Sequence, residues 1–291
     1  MTQQIAILGL GTMGMGMATN LLNAGFSVAA YNRSSAKAAP LGALGARIAS
    51  TPADAARDAD VVISMVSDDD VSRKTWTGEL GALSGAKPGA VLVESSTVTP
   101  AWIAEFAQLA AERNCPVVDA PVTGSRLQAA GGQLIFLVGA DAAILERIRP
   151  ILAAMSKEIV HLGPIGSGAR MKLINNFLAG VQVASLAEAI SWIERSGLDR
   201  EKALKTLCNG APGSPLISTI SARMVAANYD VNFLLSLMRK DLHYAGADAA
   251  TLGVELRSAM TAEKRFVEAA AAGYGEKDMS AVIEPLRTQS R

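Results

Sequence analysis

Hydrophobic positions fall into two regimes along the chain. In the first half, short apolar runs recur between segments of helical spacing. Ile5–Leu10, Ser27–Tyr31, Val61–Val66, Ala90–Glu94, Pro116–Val118, Leu134–Val138 and Glu158–Leu162 read as strands. Thr12–Ala24 and Pro100–Arg113 carry the helical pattern. Short apolar strands alternating with helices predict βαβ units on a parallel sheet.

After Gly163 the pattern changes. Gly166-Ser167-Gly168 punctuates the chain, and from there to Arg195 only Gly180 interrupts, with no proline. The spacing predicts one helix of about 28 residues, roughly 42 Å long at 1.5 Å per residue. Leu173, Ile174, Phe177, Leu178, Val181, Val183, Leu186, Ile190, Trp192 and Ile193 put apolar groups on nearly every side of it. Such a helix is expected to be wrapped by other structure. It also carries Asn175, Asn176, Gln182 and Glu188, which suit a buried helix rather than a membrane span. Beyond it the chain stays helical in period, broken at Gly197, Asn209–Pro215 and Gly273–Gly275. The expected organisation is an α/β domain over residues 1–163 and an all-α domain over 164–291, joined by the long helix.

Composition supports a large core: of 291 residues, 50% are hydrophobic and 19% charged. Twenty-seven basic residues balance 27 acidic ones, with no long basic run, so neither nucleic acid nor an anionic membrane is an expected partner. Cys115 and Cys208 are far apart and His161 and His243 lack metal-ligand spacing, so no metal site is expected and a reducing compartment fits. Met1-Thr2-Gln3-Gln4 has no basic stretch of a signal peptide, and the expected setting is cytoplasmic.

Gly9-Leu10-Gly11-Thr12-Met13-Gly14 is a GxGxxG that follows a strand and opens a helix. In that context it predicts a dinucleotide site of Rossmann type. The first glycine permits the tight turn, the second admits pyrophosphate, and the third allows close helix–strand packing. The helix N-terminus favours the anion. The second strand ends in Asn32-Arg33-Ser34, where an NAD enzyme usually has an acidic residue for the ribose. A cation and a hydroxyl suit a 2′-phosphate, so NADP(H) is the expected cofactor; the alternative leaves Arg33 a solvated surface charge.

Two further features carry candidate chemistry. Asp119-Ala120-Pro121-Val122-Thr123-Gly124-Ser125 leaves a strand in a turn whose amides and hydroxyls can bind a carboxylate, or which is an ordinary loop. Gly131-Gly132 permits another close approach of backbone. Lys172 and Asn176 stand at i and i+4 near the start of the long helix and share a face. In a closed site a lysine can protonate a developing alkoxide and an asparagine can fix the reacting oxygen. Equally, Lys172 can snorkel to water near the helix end.

These residues also carry a resemblance. Gly9–Ala18 (GLGTMGMGMA), Glu94–Thr97 (ESST), Asp119–Ser125 (DAPVTGS), Gly168–Asn176 (GARMKLINN) and Met238–Leu242 (MRKDL) resemble, in order and over nearly the whole chain, the β-hydroxyacid dehydrogenases. That family includes 3-hydroxyisobutyrate dehydrogenase and the glyoxylate/succinic semialdehyde reductases. The resemblance implies a Rossmann-like first domain and a helical second domain through which protomers pair as homodimer or homotetramer. It implies that Lys172 is the catalytic lysine with Asn176 its partner, and that Thr97 lies beside the nicotinamide. Thr123, Gly124 and Ser125 are then expected to hold the substrate carboxylate. Lys240 reaches the cofactor from the helical domain, with Phe233 and Asp241 lining the substrate site. Met65 and Val66, ending the third strand, complete the expected cofactor set.

Thr123 stands where serine is usual in the family, and Ser125-Arg126 follow where many members have a second glycine. Ser125 resembles the glyoxylate/succinic semialdehyde reductase branch. Imine reductases share the architecture but generally lack a lysine at position 172. The implied activity is acid-assisted hydride transfer between NADP(H) and a small carboxylate-bearing aldehyde or hydroxy acid. A 3-hydroxyisobutyrate-type dehydrogenase is the alternative substrate class. A non-catalytic NADP(H)-binding sensor and a structural helical-dimer module are rivals of other classes; turnover of an aldehyde excludes the first, and stabilisation by NADPH the second.

Overall fold

The computed structural model describes residues 3–288. The chain forms two compact units, the first ending at Lys172 and the second beginning at Leu173, so the division falls inside a helix.

The first unit is an α/β sheet domain. Its elements in order are β1 (Gln4–Leu8), α1 (Gly14–Asn23), β2 (Ser27–Tyr31), α2 (Ala39–Ala43), β3 (Arg47–Ile48), α3 (Pro52–Ala56) and β4 (Val61–Ser64). Then come α4 (Asp69–Trp76), α5 (Ala82–Gly85), β5 (Val91–Glu94), α6 (Pro100–Ala111), β6 (Val117–Asp119) and β7 (Val122–Thr123). The unit closes with α7 (Arg126–Ala130), β8 (Leu134–Gly139), α8 (Ala142–Ala153), β9 (Ser156–Gly163) and the start of α9 (Ser167–Ser196).

The sheet order is β3-β2-β1-β4-β5-β6-β8-β7, with β9 beside β8. Side chains of β1, β4 and β5 are buried on both faces, as a sheet covered by helices on each side requires. Alternation divides them between two cores: Ile5, Ile7 and Ile63 pack on one side, Ala6, Leu8 and Val62 on the other. The helices start where the sequence supplies caps: Asp68, Thr99 and Asp141 accept amides of Val71, Trp102 and Ala143. The parallel expectation holds from β3 to β6 and fails at β8, which runs antiparallel to both β6 and β7. A β7–α7 excursion connects β6 to β8, and β7 pairs antiparallel with β8 on its return.

The second unit is helical: the rest of α9, then α10 (Arg200–Asn209), α11 (Pro215–Val225), α12 (Leu235–Thr251), α13 (Arg257–Ala269) and α14 (Glu284–Thr288). Val183, Leu186 and Ile190 of α9 share a core with Ile220 and Met224 of α11, Leu242 of α12 and Phe266 of α13. Gly180 marks where α12 comes closest, since a Cβ there would lie 2.8 Å from Leu242 Cδ2 and 2.9 Å from Met238 Sδ.

The long helix lies within a residue of its expected span, but it is not wrapped on all sides. Ile174, Leu178 and Trp192 are exposed, Trp192 by 78%. They are 4 and 14 residues apart in turn and so share one face of a helix with 3.6 residues per turn. The composition of α9 measures burial averaged over its length and cannot show that one face stays open within a single chain.

Candidate active site

The strand order reverses between β1 and β4, and in open α/β sheets ligands bind beyond the strand ends at that point. There the Gly9–Met13 turn leaves β1. Gly9 has φ +99°, and a Cβ on it would lie 2.3 Å from Met65 O. A Cβ on Gly14 would lie 2.0 Å from Gly9 O, so α1 can start this close to the strand only with glycine. At Gly11 nothing lies within 4 Å of the Cβ position. The second glycine therefore faces open space at the N-terminus of a ten-residue helix, a cradle that fits a pyrophosphate.

Hydrogen bonds join this turn to its neighbours. Asn32 accepts from the Leu10 amide at 3.0 Å and donates to Ser34 O at 3.0 Å, so its amide braces the glycine turn. Arg33 and Ser34 are exposed beside it. Met65 donates its amide to Leu8 O at 2.8 Å. The Val66 amide donates to Ser96 Oγ at 2.8 Å, which ties the end of β4 to the loop after β5.

That loop rests on a buried carboxylate. Glu94 Oε2 accepts from Ser72 Oγ at 2.5 Å and Trp76 Nε1 at 2.7 Å, while Oε1 accepts from the Ser96 amide at 2.9 Å. Trp102 Nε1 donates to Ser72 Oγ at 2.8 Å. Burial pushes the Glu94 carboxyl above its ordinary value, and the Ser72, Ser96 and Trp76 donors oppose the rise. On the far side Asp69 takes Thr99 by amide and hydroxyl, at 2.9 and 2.6 Å. Thr97 lies between these anchors. In the sequence Glu94 is only the first residue of the ESST motif, with no role of its own. An acidic residue ending a fully apolar buried strand was the available signal, because a buried charge needs partners.

The expected carboxylate turn is built on β7 and α7. Thr123 is half-buried and Gly124, at φ +127°, is exposed. Ser125 caps α7: it accepts the Leu127 amide at 3.3 Å, its own amide donates to Gln128 Oε1 at 2.9 Å, and its hydroxyl also donates to Gln128 Oε1. Its hydroxyl and its amide are thus both engaged in the cap. α7 in turn docks on α1. Asn20 Nδ2 donates to Ala129 O at 2.7 Å, and a Cβ on Gly16 would meet Ala129 backbone at 2.7 Å.

Asp119, at the head of the same turn, is fully buried. Its carboxylate accepts the amides of Gly166 and Ala169, each at 2.7 Å, at the start of α9. Burial pushes its pKa up to about 7 against the pull of those amides.

Along α9, Lys172 is 8% exposed and Asn176 4%, one turn apart. Burial to this degree favours the enclosed lysine over the snorkelling one. In the second unit Asn176 Nδ2 donates to Asp241 Oδ2 at 2.5 Å, and Asn175 Nδ2 donates to Asn176 Oδ1 at 2.9 Å. Lys240 Nζ lies 2.9 Å from Asp241 Oδ1 and 4.7 Å from the centre of the Tyr244 ring. Phe233 is half-buried, with its amide held by Asp278 Oδ2 at 3.1 Å. Asp278 also accepts from the Asn232 amide at 2.9 Å and pairs with Arg223 at 3.2 Å, so one buried carboxylate shapes the loop bearing Phe233.

Comparison with known proteins bears on both units. Residues 4–163 match the NAD binding domain of 6-phosphogluconate dehydrogenase, and residues 166–286 match the NAD-binding domain of NADP-dependent 3-hydroxyisobutyrate dehydrogenase. The chain is 34% identical to glyoxylate/succinic semialdehyde reductase 2 of Arabidopsis thaliana, over 98% of this chain and 80% of that one. It is 34% identical to the NAD-dependent L-serine dehydrogenase of Pseudomonas aeruginosa, over 96% of each. The solved structure of Mycobacterium tuberculosis 3-hydroxyisobutyrate dehydrogenase with L-serine superposes with a TM-score of 0.89 at 31% identity, covering 99% of this chain and 100% of that one.

Proposed function

We propose, from the premise that the chain belongs to the β-hydroxyacid dehydrogenase family, that it reduces a small carboxylate-bearing aldehyde with NADPH, in the manner of a glyoxylate/succinic semialdehyde reductase. It is an oxidoreductase of the 3-hydroxyisobutyrate dehydrogenase and semialdehyde reductase group and binds a nicotinamide cofactor. The observation that carries the finer reading is the buried pair Lys172 and Asn176, one turn apart on α9. A lysine and an amide enclosed one turn apart set a proton donor beside a group that can fix a reacting oxygen.

When bound, the nicotinamide supplies or accepts the hydride. Lys172 gives a proton to the carbonyl oxygen during reduction and, neutral, takes it back during oxidation. Asn176 orients that oxygen, with its own amide held by Asp241. The Thr123 hydroxyl and the Gly124 amide hold the carboxylate, on a turn fixed by the Ser125 cap of α7. Gly9–Gly14, Met65, Val66 and Thr97 hold the cofactor, and the family resemblance assigns Lys240 to the cofactor and Phe233 to the substrate. Arg33 and Ser34 support the choice of NADP(H), because no carboxylate stands there to repel a 2′-phosphate.

The similarity to 3-hydroxyisobutyrate dehydrogenase with L-serine favours a second reading, oxidation of a small hydroxy acid. The test is nucleotide turnover with glyoxylate, succinic semialdehyde, methylmalonate semialdehyde and tartronate semialdehyde, against 3-hydroxyisobutyrate and L-serine in the oxidative direction. Fastest NADPH oxidation with glyoxylate or succinic semialdehyde supports the first reading. Preference for a hydroxy acid substitutes the second, and no turnover at all leaves the sensor. A homo-oligomer in a cytoplasmic setting is part of the proposal. The exposed Ile174, Leu178 and Trp192 face supports association through the helical unit, and sedimentation as a monomer would remove it.

A further inference from the structure

Two pieces of the proposed chemistry converge on one side chain in the first unit. Asp119 ends β6, and four residues later comes Thr123 of the carboxylate turn. Its carboxylate holds the amides of Gly166 and Ala169, and three residues after Ala169 comes Lys172. We propose that Asp119 is a positioning residue that sets the Lys172 segment of α9 against the Thr123–Ser125 turn. The inference rests on the roles proposed above for Lys172 and that turn.

The carboxylate sits in a slot with no slack. A Cβ on Gly139 would lie 2.4 Å from Asp119 Oδ1. One on Gly168 would lie 2.2 Å from Leu137 O and 3.0 Å from Asp119 Oδ2. Both walls are therefore bare backbone, and the start of α9 approaches the sheet as closely as a helix can. The turn is braced from the same strand. Leu137 donates its amide to Pro121 O at 2.8 Å, and Val122 and Thr123 pair with Phe136 and Ile135 of β8. Asp119 itself pairs with Gly139. Lysine helix and carboxylate turn are thus both referred to β8, and the Asp119 carboxylate is the side-chain link between them. A two-residue strand and a helix end are each adjustable alone. Two hydrogen bonds accepted by one rigid carboxylate remove that freedom, which is what a general acid needs in order to meet a carbonyl at fixed distance from an anchored carboxylate.

A helix cap alone makes a different forecast. Losing it lowers stability and the folded fraction but leaves turnover per folded molecule unchanged. Two variants separate the readings. Asp119→Asn keeps the shape and one acceptor, and whichever way its amide turns it loses one of the two bonds. Asp119→Ser still accepts from a helix-terminal amide but is too short to span both. Each is checked for folding by circular dichroism and for NADPH affinity by fluorescence titration. Turnover is measured with the aldehyde best used by the wild-type protein. The expected result is unchanged NADPH affinity with kcat/KM lowered by about 10- to 100-fold, the scale of a misplacement near 1 Å. KM for the aldehyde should rise, and the primary isotope effect from C4-deuterated NADPH should grow. If a folded variant keeps kcat, KM and the isotope effect within twofold of wild type, Asp119 is a cap only and the proposal is overturned. Failure of both variants to fold overturns it too, by making Asp119 a determinant of stability. Absence of wild-type turnover on the aldehyde panel would instead remove the functional reading beneath it.

Discussion

Asn176 and Asp241, 65 residues apart in sequence, meet in the helical unit with Nδ2 2.5 Å from Oδ2. An ionised carboxylate only accepts, so Asp241 decides which end of the Asn176 amide faces it. The Asn176 carbonyl oxygen turns toward Asn175 Nδ2. Asp241 also pairs with Lys240 at 2.9 Å. Beside its expected place in the substrate site, its contacts with Asn176 and Lys240 give it the further expected task of holding both. Asp241→Ala leaves a buried amide unsatisfied, at about 1–3 kcal/mol. The expected outcome is kcat lowered roughly 10- to 100-fold, from a misdirected Asn176. Steady-state kinetics with saturating aldehyde measures it, and unchanged kcat with raised KM would return Asp241 to direct substrate contact.

Lys172 is tested most simply. Lys172→Ala should lower kcat by roughly 10²–10⁴-fold, the range for losing a general acid. NADPH affinity should hold, because the glycine turn, the end of β4 and the loop after β5 are hydrogen-bonded to one another without Lys172. Near-normal turnover in the variant would take Lys172 out of the mechanism.

Glu94 makes a different prediction. Both of its oxygens accept, so a glutamine must turn its NH₂ toward a donor on one side or the other. Glu94→Gln should lose about 1–3 kcal/mol in denaturant unfolding. It should also weaken binding of NADPH more than binding of 2′-phospho-ADP-ribose, which lacks the nicotinamide expected beside Thr97. A variant as stable as wild type would mean the carboxyl is already protonated in the folded protein, the direction in which burial pushes it.

What was legible in the sequence follows from how local each signal is. The first strand, turn and helix could be read because three glycines at fixed spacing perform three separate steric tasks, and α9 because its period runs unbroken for eight turns. Strand ends differ in both directions: the apolar run from Val61 to Val66 outlasts β4, which stops at Ser64, whereas β9 runs Ser156–Gly163, beyond the Glu158–Leu162 that the apolar pattern marks. β3 and β7 were invisible, since two residues carry no period. Arg47 and Ile48 are strand only because β2 is beside them. Asp119 and Glu94 were quoted inside motifs, yet their work is defined by Gly166, Ala169, Ser72 and Trp76, partners that only the folded chain brings near.

Asp119 also predicts a pH dependence of stability. Its carboxyl is raised from an ordinary 3.8 to about 7 by burial. The folded protein therefore keeps that proton where the unfolded chain has lost it. Stability from this group is fully present below about pH 4, falls as pH rises, and levels off above about pH 7. At 1.36 kcal/mol per unit the fall is at most about 4 kcal/mol. Denaturant unfolding of wild type and Asp119→Asn at pH 5 and pH 8 isolates it. The wild type should lose more stability than the variant on going to pH 8. Equal losses would place the folded-state value near the unfolded one.

Cofactor choice turns on two neighbours with separate jobs. Asn32 is committed to the glycine turn, with its oxygen on the Leu10 amide and its nitrogen on Ser34 O. Aspartate there would keep the first bond, since a carboxylate accepts as well. It would lose the second and set a negative charge against a carbonyl oxygen 3.0 Å from the present amide nitrogen. Arg33 has no such structural duty: it is exposed and forms no ion pair among the described residues. A charge-assisted hydrogen bond from it to a 2′-phosphate contributes about 1.5–3 kcal/mol. Since tenfold in affinity is about 1.4 kcal/mol, Arg33 should favour NADPH over NADH by roughly one to two orders of magnitude. Arg33→Ala should erase most of that preference without loss of folding. Adding Asn32→Asp should tip it toward NADH, because the carboxylate accepts from the ribose hydroxyls and repels phosphate. The double variant should also melt lower, as the strained Ser34 contact requires. kcat/KM for both nucleotides in all three proteins measures the effect. Wild-type protein that uses NADH as well as NADPH would leave Arg33 in solvent and withdraw NADP(H) as the preferred cofactor.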